Sequence, residues 1–157
     1  MMERPLLRWR LPVRAMLLFV AANLLWETAQ MPLYTLWRNG SPGEIAFAVL
    51  HCTVGDGLIA AASFTLAIVL TRGWYWPERG FRRVLVATTL FGLAYTIFSE
   101  WLNVEWRGTW AYADAMPLLP IIGTGLSPVL QWLLLPPLSL LAARNMVDRH
   151  NPIGVPP

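Results

Sequence analysis

The 157 residues have room for one compact domain and none for a separate catalytic module. Apolar residues make up 56% of the chain and charged residues 13%, about half the charged share of an ordinary soluble domain, so lipid is the expected solvent. The net charge of +3 rests on arginines scattered through short loops, which excludes a broad nucleic-acid surface, and the single cysteine, Cys52, excludes an internal disulfide.

In chain order, the basic stretch Met1 to Arg14 leads into an apolar run, Val13 to Leu36. That run is too long for a signal-peptide core and has no small-residue cleavage site, so a retained first helix is expected. Within it Asn23, Glu27 and Gln30 recur at i, i+4 and i+7, which places them on one helical face, with Trp26 beside them and Tyr34 continuing the row. A second span covers Ile45 to Leu70. Cys52 and Asp56 share a face there, with Ser63 two turns further on, and His51 points away from Asp56 by roughly 140° of helical rotation.

A third span, Val84 to Val104, carries the row Thr96, Glu100 and Asn103. A fourth is expected from Leu118 to Ala143, with a start kinked or unwound by Pro117, Pro120, Gly123, Gly125 and Pro128 ahead of Gln131. Residues 151–157, with three prolines and a glycine, read as a flexible tail.

Each span reaches the roughly 20 helical residues that cross about 30 Å of hydrocarbon, and no run of short alternating segments suggests a barrel. The expected fold is an all-α, polytopic four-helix transmembrane bundle forming a single domain over residues 1–150. Arg4, Arg8, Arg10, Arg14, Arg72, Arg79, Arg82, Arg83, Arg144 and Arg149 lie on one side, and Arg38 and Arg107 on the other. That asymmetry predicts both chain ends in the cytoplasm and the loops 37–44 and 105–117 outside. Aromatic residues sit at both expected interfaces, Trp74, Tyr75 and Trp76 within and Trp101, Trp106, Trp110 and Tyr112 without.

An ionisable group at the centre of a spanning helix costs about 2.5 to 3.5 kcal/mol even on lenient scales, so Glu27 and Asp56 require an explanation. For upright helices Glu100 would lie roughly 6 Å deep, His51 about 9 Å, Glu27 about 14 Å and Asp56 about 17 Å. The polarity is concentrated in the outer half. The inner stretches 15–22, 64–70, 84–91 and 133–141 are plainly apolar, so a hollow open to the outer face is expected.

Asn23, Gln30, Gln131 and Thr96 have an ordinary alternative role as interhelical hydrogen-bonding groups, and Glu100 as a headgroup-level carboxylate beside Trp101. His51 can be a neutral ring satisfied by a carbonyl, and Cys52 a small packing residue. Glu27 and Asp56 have no arginine on any span to neutralise them. A carboxylic acid kept neutral by apolar surroundings beside a second carboxylate in a more polar place is a general acid–base pair. Glu27, Asp56 and Glu100 are therefore the candidate catalytic residues. Asn23, Trp26, Gln30, His51, Cys52, Thr96, Asn103, Trp110 and Gln131 are the candidate pocket lining. No metal set is assigned, because no ligand spacing such as HExxH occurs, and the sequence names no cofactor.

The segment Asn23-Leu-Leu-Trp26-Glu27, followed by Pro32-Leu-Tyr34, resembles the N-x-x-W-E segment of the membrane-bound terpene cyclases of fungal and bacterial meroterpenoid pathways. The resemblance covers residues 23–34 and implies Glu27 as a proton donor, with Asp56 or Glu100 as the second acid. The segments around Asp56, Glu100 and Gln131 resemble those of small bacterial integral membrane proteins, which implies a bacterial inner-membrane, multi-pass setting.

The expected function is acid–base chemistry, an isomerisation or cyclisation, on a lipid or isoprenoid-like molecule held in a polar pocket. Two alternatives stand beside it. One is a proton- or cation-coupled carrier, for which four spans suffice only as a homo-oligomer. The other is an accessory subunit whose polar rows bind a partner membrane protein.

Overall fold

A computed structural model of the chain describes residues 4–150, and the expected tail at 151–157 lies outside the described residues. Five helices follow one another: α1 (Arg4–Gln30), α2 (Leu36–Asn39), α3 (Pro42–Leu70), α4 (Phe81–Trp101) and α5 (Leu126–His150). The four long ones are long and apolar enough to cross a membrane, over Trp9–Leu33, Pro42–Leu70, Phe81–Trp106 and Leu126–Val147. The all-α four-helix bundle expected from the hydropathy pattern is the fold.

The helices pack as a square: α1 lies against α3 and α5, and α4 against the same two, so that α1 faces α4 and α3 faces α5 across the diagonals. On α1 the buried positions Leu11, Ala15, Phe19, Asn23, Glu27 and Gln30 form a single stripe stepping by three or four residues. Its N-terminal end is apolar and its C-terminal end polar. The buried face of α3 is made of small residues, among them Thr53, Ala60, Ser63 and Ala67, which lets its backbone approach its neighbours closely. Leu17, Leu25, Phe47, Leu58, Leu90 and Leu138 project outward, as lipid-facing side chains do.

Toward the α3–α4 loop the core closes around Trp76, which meets Phe64 edge-on at 5.0 Å and stacks on Phe81 at 6.2 Å, with Leu11, Ala67, Val84, Leu140 and Ala143 around them. Midway along the bundle Trp132 packs at 5.6 Å from Phe19, between Ala60 and Leu135. Its ring lies against Gly92, which has no side chain to obstruct it.

Two ends are set by local chemistry. Helix α3 begins at Pro42, three residues before the hydropathy pattern suggests, because Ser41 and Glu44 form a reciprocal cap: the Ser41 hydroxyl accepts from the Glu44 amide, and the Glu44 carboxylate accepts from the Ser41 amide at 2.8 Å.

The fourth span starts at Leu126 and not at Leu118. Pro117 and Pro120 cannot donate, and Ile121 and Gly123 are left-handed at φ 81° and 66°, so residues 118–125 fold back on themselves, with Leu119 donating to Thr124 and Leu126 to Pro117. Helix α5 then runs continuously to His150 although Pro136 and Pro137 lie within it.

Beyond α4 the helix widens into a π-turn at Leu102–Trp106, and the chain returns to pair with the end of α1: Thr35 donates to Ala111, and Ala113 to Leu33. This pairing sets Tyr34 beside Tyr112, with ring centroids 5.6 Å apart.

Candidate functional site

The polar faces of α1, α3 and α5 meet on the bundle axis. Gln131 of α5 is 1% exposed and Asn23 of α1 is fully buried. The Gln131 amide donates to the Asn23 side-chain oxygen at 2.7 Å, to Glu27 Oε1 at 2.8 Å and, across the diagonal, to Asp56 Oδ2 at 3.1 Å. Asn23 Nδ2 donates to the same Asp56 oxygen at 3.1 Å.

Behind Gln131 stands a directed chain of donors. The Trp26 indole donates to the Ser127 hydroxyl at 3.2 Å, Ser127 donates to Gln30 Oε1 at 2.8 Å, and Gln30 Nε2 faces Gln131 Oε1 at 3.4 Å. Every link points its hydrogen toward the carboxyl pair. Such aligned chains polarise one another, so the last donor is the strongest. The orientation of the Gln131 amide follows from its surroundings, since the opposite flip would set its oxygen against three acceptors.

Counting hydrogens shows what this arrangement holds. Gln131 Nε2 carries two, yet three acceptor oxygens surround it within 3.1 Å. The carboxyls of Glu27 and Asp56 also stand within hydrogen-bonding reach of each other. Two carboxylates cannot bond to one another, whereas a carboxylic acid and a carboxylate can. The geometry is that of two carboxyls brought together from two helices, with the amides of Gln131 and Asn23 serving their oxygens.

Glu100 belongs to a separate group nearer the end of the bundle where Tyr34 and Tyr112 meet. Its Oε2 accepts from the Tyr112 hydroxyl at 2.5 Å and from Tyr34 at 3.5 Å, and the Tyr112 oxygen in turn accepts from the Gly125 amide at 3.0 Å. The Trp110 indole N–H is buried near the same carboxyl and stops short of hydrogen-bond geometry. Burial and the adjacent Glu100 carboxyl push the Tyr112 phenol well above its ordinary range, so it serves Glu100 as a neutral donor. A side chain at Gly125 would meet Met116 at 3.0 Å and the Tyr112 ring at 3.1 Å, which explains why the chain passes the tyrosine with a glycine.

Of the other residues singled out by sequence, half-buried Cys52 lies within electrostatic reach of Glu27, Asp56 and Glu100. Thr96 is buried with its hydroxyl unpartnered. Asn103 turns back to the carbonyl of Ser99, on its own helix, at 2.8 Å. His51, expected in the pocket lining, is instead exposed and stacks on Phe47 at 5.5 Å, because its helical phase turns it away from the network. Tyr34, Tyr112 and Ser127 carry roles that the spacing rules did not assign. Tyr34 continues the α1 row. Tyr112 sits in an irregular loop whose position only the chain pairing beside α1 reveals.

A cavity of about 150 Å³ lies beyond the network, on the expected apolar stretches, between Met16 and Phe19 of α1, Ala60 and Phe64 of α3 and Pro136 of α5. Thr88 of α4 lines it with a buried, unpartnered hydroxyl. Its rim includes exposed Ala61 and Thr65, so it meets the lateral surface between α1 and α3. Ala60 is one helical turn from Asp56. Among the described residues no group of three or more His, Cys, Asp and Glu side chains converges as metal ligands would. Comparison with models of protein families, with curated proteins and with solved structures finds no match to this chain.

Proposed function

We propose that this chain is a multi-pass protein of a bacterial inner membrane, both ends cytoplasmic, that performs acid–base chemistry on an isoprenoid-like or other unsaturated lipid. The observation that carries the reading is the pair of carboxyls, Glu27 with Asp56, held together on the bundle axis by Gln131 and Asn23. The ten-to-two division of arginines supports the orientation, and the N-x-x-W-E resemblance supports Glu27 as the donor.

In this mechanism the Glu27 carboxylic acid transfers its proton to one carbon of a double bond. The electron-rich face of Trp26 steadies the resulting cation. Asp56, whose Oδ2 receives N–H groups from both Asn23 and Gln131, acts as the carboxylate that removes a proton from a neighbouring carbon. The substrate leaves as an isomer or a ring; partly buried Asp56 gives its proton to water, and one from water returns to Glu27, which restores the pair. The apolar cavity one turn further in supports a hydrocarbon chain as the body of the substrate, entering from the lipid side between α1 and α3.

One observation favours a second reading, in which the network only locks three helices together: Asn23 and Gln131 are sealed from outside. Deuterated water separates the two. Membranes containing the wild-type protein should convert a lipid species into an isomer carrying one deuterium in place of a hydrogen, and Glu27→Gln membranes with the same amount of folded protein should not. Identical lipid profiles for wild type and variant would leave the lock as the function of these residues.

A further inference from the structure

The α3–α4 loop takes no part in the network, yet with the start of α4 it bounds an open cavity of about 510 Å³. Arg72, Arg79, Arg82 and Arg83 line it together with Thr71 and Tyr75, so a third of the chain's arginines face one hollow. Glu78, the carboxylate in the same loop, is not part of the lining. Orientation in the membrane requires only that these charges lie in the loop, and it gives no reason for them to surround a concavity.

The floor of the hollow adds to the field. Helix α4 begins there, at Phe81, behind Gly80 at φ 77°, and no side chain caps it. The first bond of the helix is donated by Val84 to Gly80, so the amides of Phe81, Arg82 and Arg83 precede the helical ladder. No acidic residue occupies that first turn. The positive end of a 21-residue helix therefore opens on a hollow lined by four arginines. Planar guanidinium forks match phosphate oxygens two at a time, and an oxyanion is the ligand this combination suits.

Trp74 and Tyr75, both largely exposed, flank the cavity at the end of two lipid-facing helices, the place where amphipathic rings meet headgroups. The phosphate source present there at high concentration is the lipid itself. We propose that this cavity binds the phosphate of an anionic phospholipid, with Arg82 and Arg83 at the helix start as the principal contacts and Arg72 and Arg79 closing over it. This site is independent of the carboxyl network and of the chemistry proposed for it.

The test is lipid retention by the purified full chain, followed by native mass spectrometry with phosphatidylglycerol, phosphatidylcholine and inorganic phosphate as probes. Wild-type protein should retain phosphatidylglycerol in clear preference to phosphatidylcholine. Arg82→Gln/Arg83→Gln should weaken that retention roughly thirtyfold, given the attraction each basic residue contributes at a membrane surface. Arg82→Lys/Arg83→Lys keeps the loop charge, and with it folding and orientation, while removing the forks. It should lose about three- to tenfold and decides the matter if the glutamine variant does not fold. Equal retention of the two lipids, or lysine and glutamine variants that both match wild type, would overturn the proposal. Displacement of phosphatidylglycerol by millimolar inorganic phosphate would overturn the lipid as the source and leave a site for free phosphate.

Discussion

Replacing Gly92 with alanine should loosen the centre of the bundle by displacing Trp132. A β-carbon at position 92 would lie 2.0 Å from Cζ3 and 2.2 Å from Cε3 of that ring, whereas unstrained carbons sit about 3.5–4.0 Å apart. The indole would have to retreat by about 1.5 Å. It has nowhere to go, because Trp132 is 1% exposed and Phe19 packs on it at 5.6 Å.

Overpacking of this kind costs typically about 1–3 kcal/mol and occasionally more. Alanine offsets up to about 1 kcal/mol through its better helix propensity. A clash with two aromatic atoms belongs at the upper end of the range, so a net loss of about 2 kcal/mol is expected. For a chain of this size that lowers the melting temperature by about 4–8 °C. The assay is thermal unfolding of purified protein in one detergent, with Gly92→Ala also made in a Trp132→Leu background. There the added methyl has no ring to strike, and its penalty should fall below about 0.5 kcal/mol. A Gly92→Ala protein that melts with wild type, or a penalty that persists without the indole, would refute the packing described for Trp132.

Gln131→Leu preserves bulk and removes the donor shared by Asn23, Glu27 and Asp56; with about 1–3 kcal/mol lost for each buried group left unserved, it should destabilise the chain by at least about 3 kcal/mol in the same melting assay. Tyr112→Phe takes one hydroxyl from Glu100 and from the Gly125 amide together, and should cost about 2 kcal/mol by thermal unfolding, with Tyr34→Phe costing less because its contact is longer. Since the Tyr112 phenol is pushed up in the folded chain, its contribution is fully present below the ordinary tyrosine value of about 10 and is lost as pH climbs from there toward the folded value. Melting curves should therefore fall with pH in the alkaline range for wild type, and less steeply for Tyr112→Phe.

The spans and the polar stripe were legible because both are properties of a regular helix. A run of apolar residues long enough to cross hydrocarbon has few other folds available, and Asn23, Glu27 and Gln30 share a face wherever the chain is helical. The helical phase of His51 likewise foretold its separation from Asp56. What the periodicity could not supply was the partner of each row. Gln131 reaches Asp56 across a diagonal of the bundle, and helix order in space is not written in any one helix.

The start of the fourth span shows a different limit. Hydropathy continues through Leu118, Leu119, Ile121 and Ile122, but the helix waits for Leu126, because backbone geometry at Pro117, Pro120 and Gly123 overrides apolar composition. Tyr112 was hidden for a related reason: its place depends on a loop returning to pair with Tyr34.

The successive prolines of α5 have a mechanical consequence. Neither Pro136 nor Pro137 has an amide hydrogen, so the carbonyls of Trp132 and Leu133 receive nothing from the next turn, directly after the residue that anchors the carboxyl pair. The rod is stiff on either side of that point and compliant at it. Bending there would swing the C-terminal half of α5, with the wall it gives to the apolar cavity, while Gln131 stays tethered to α1 and α3. The chain is thus built with its hydrogen-bonded half clamped and its apolar half free to breathe.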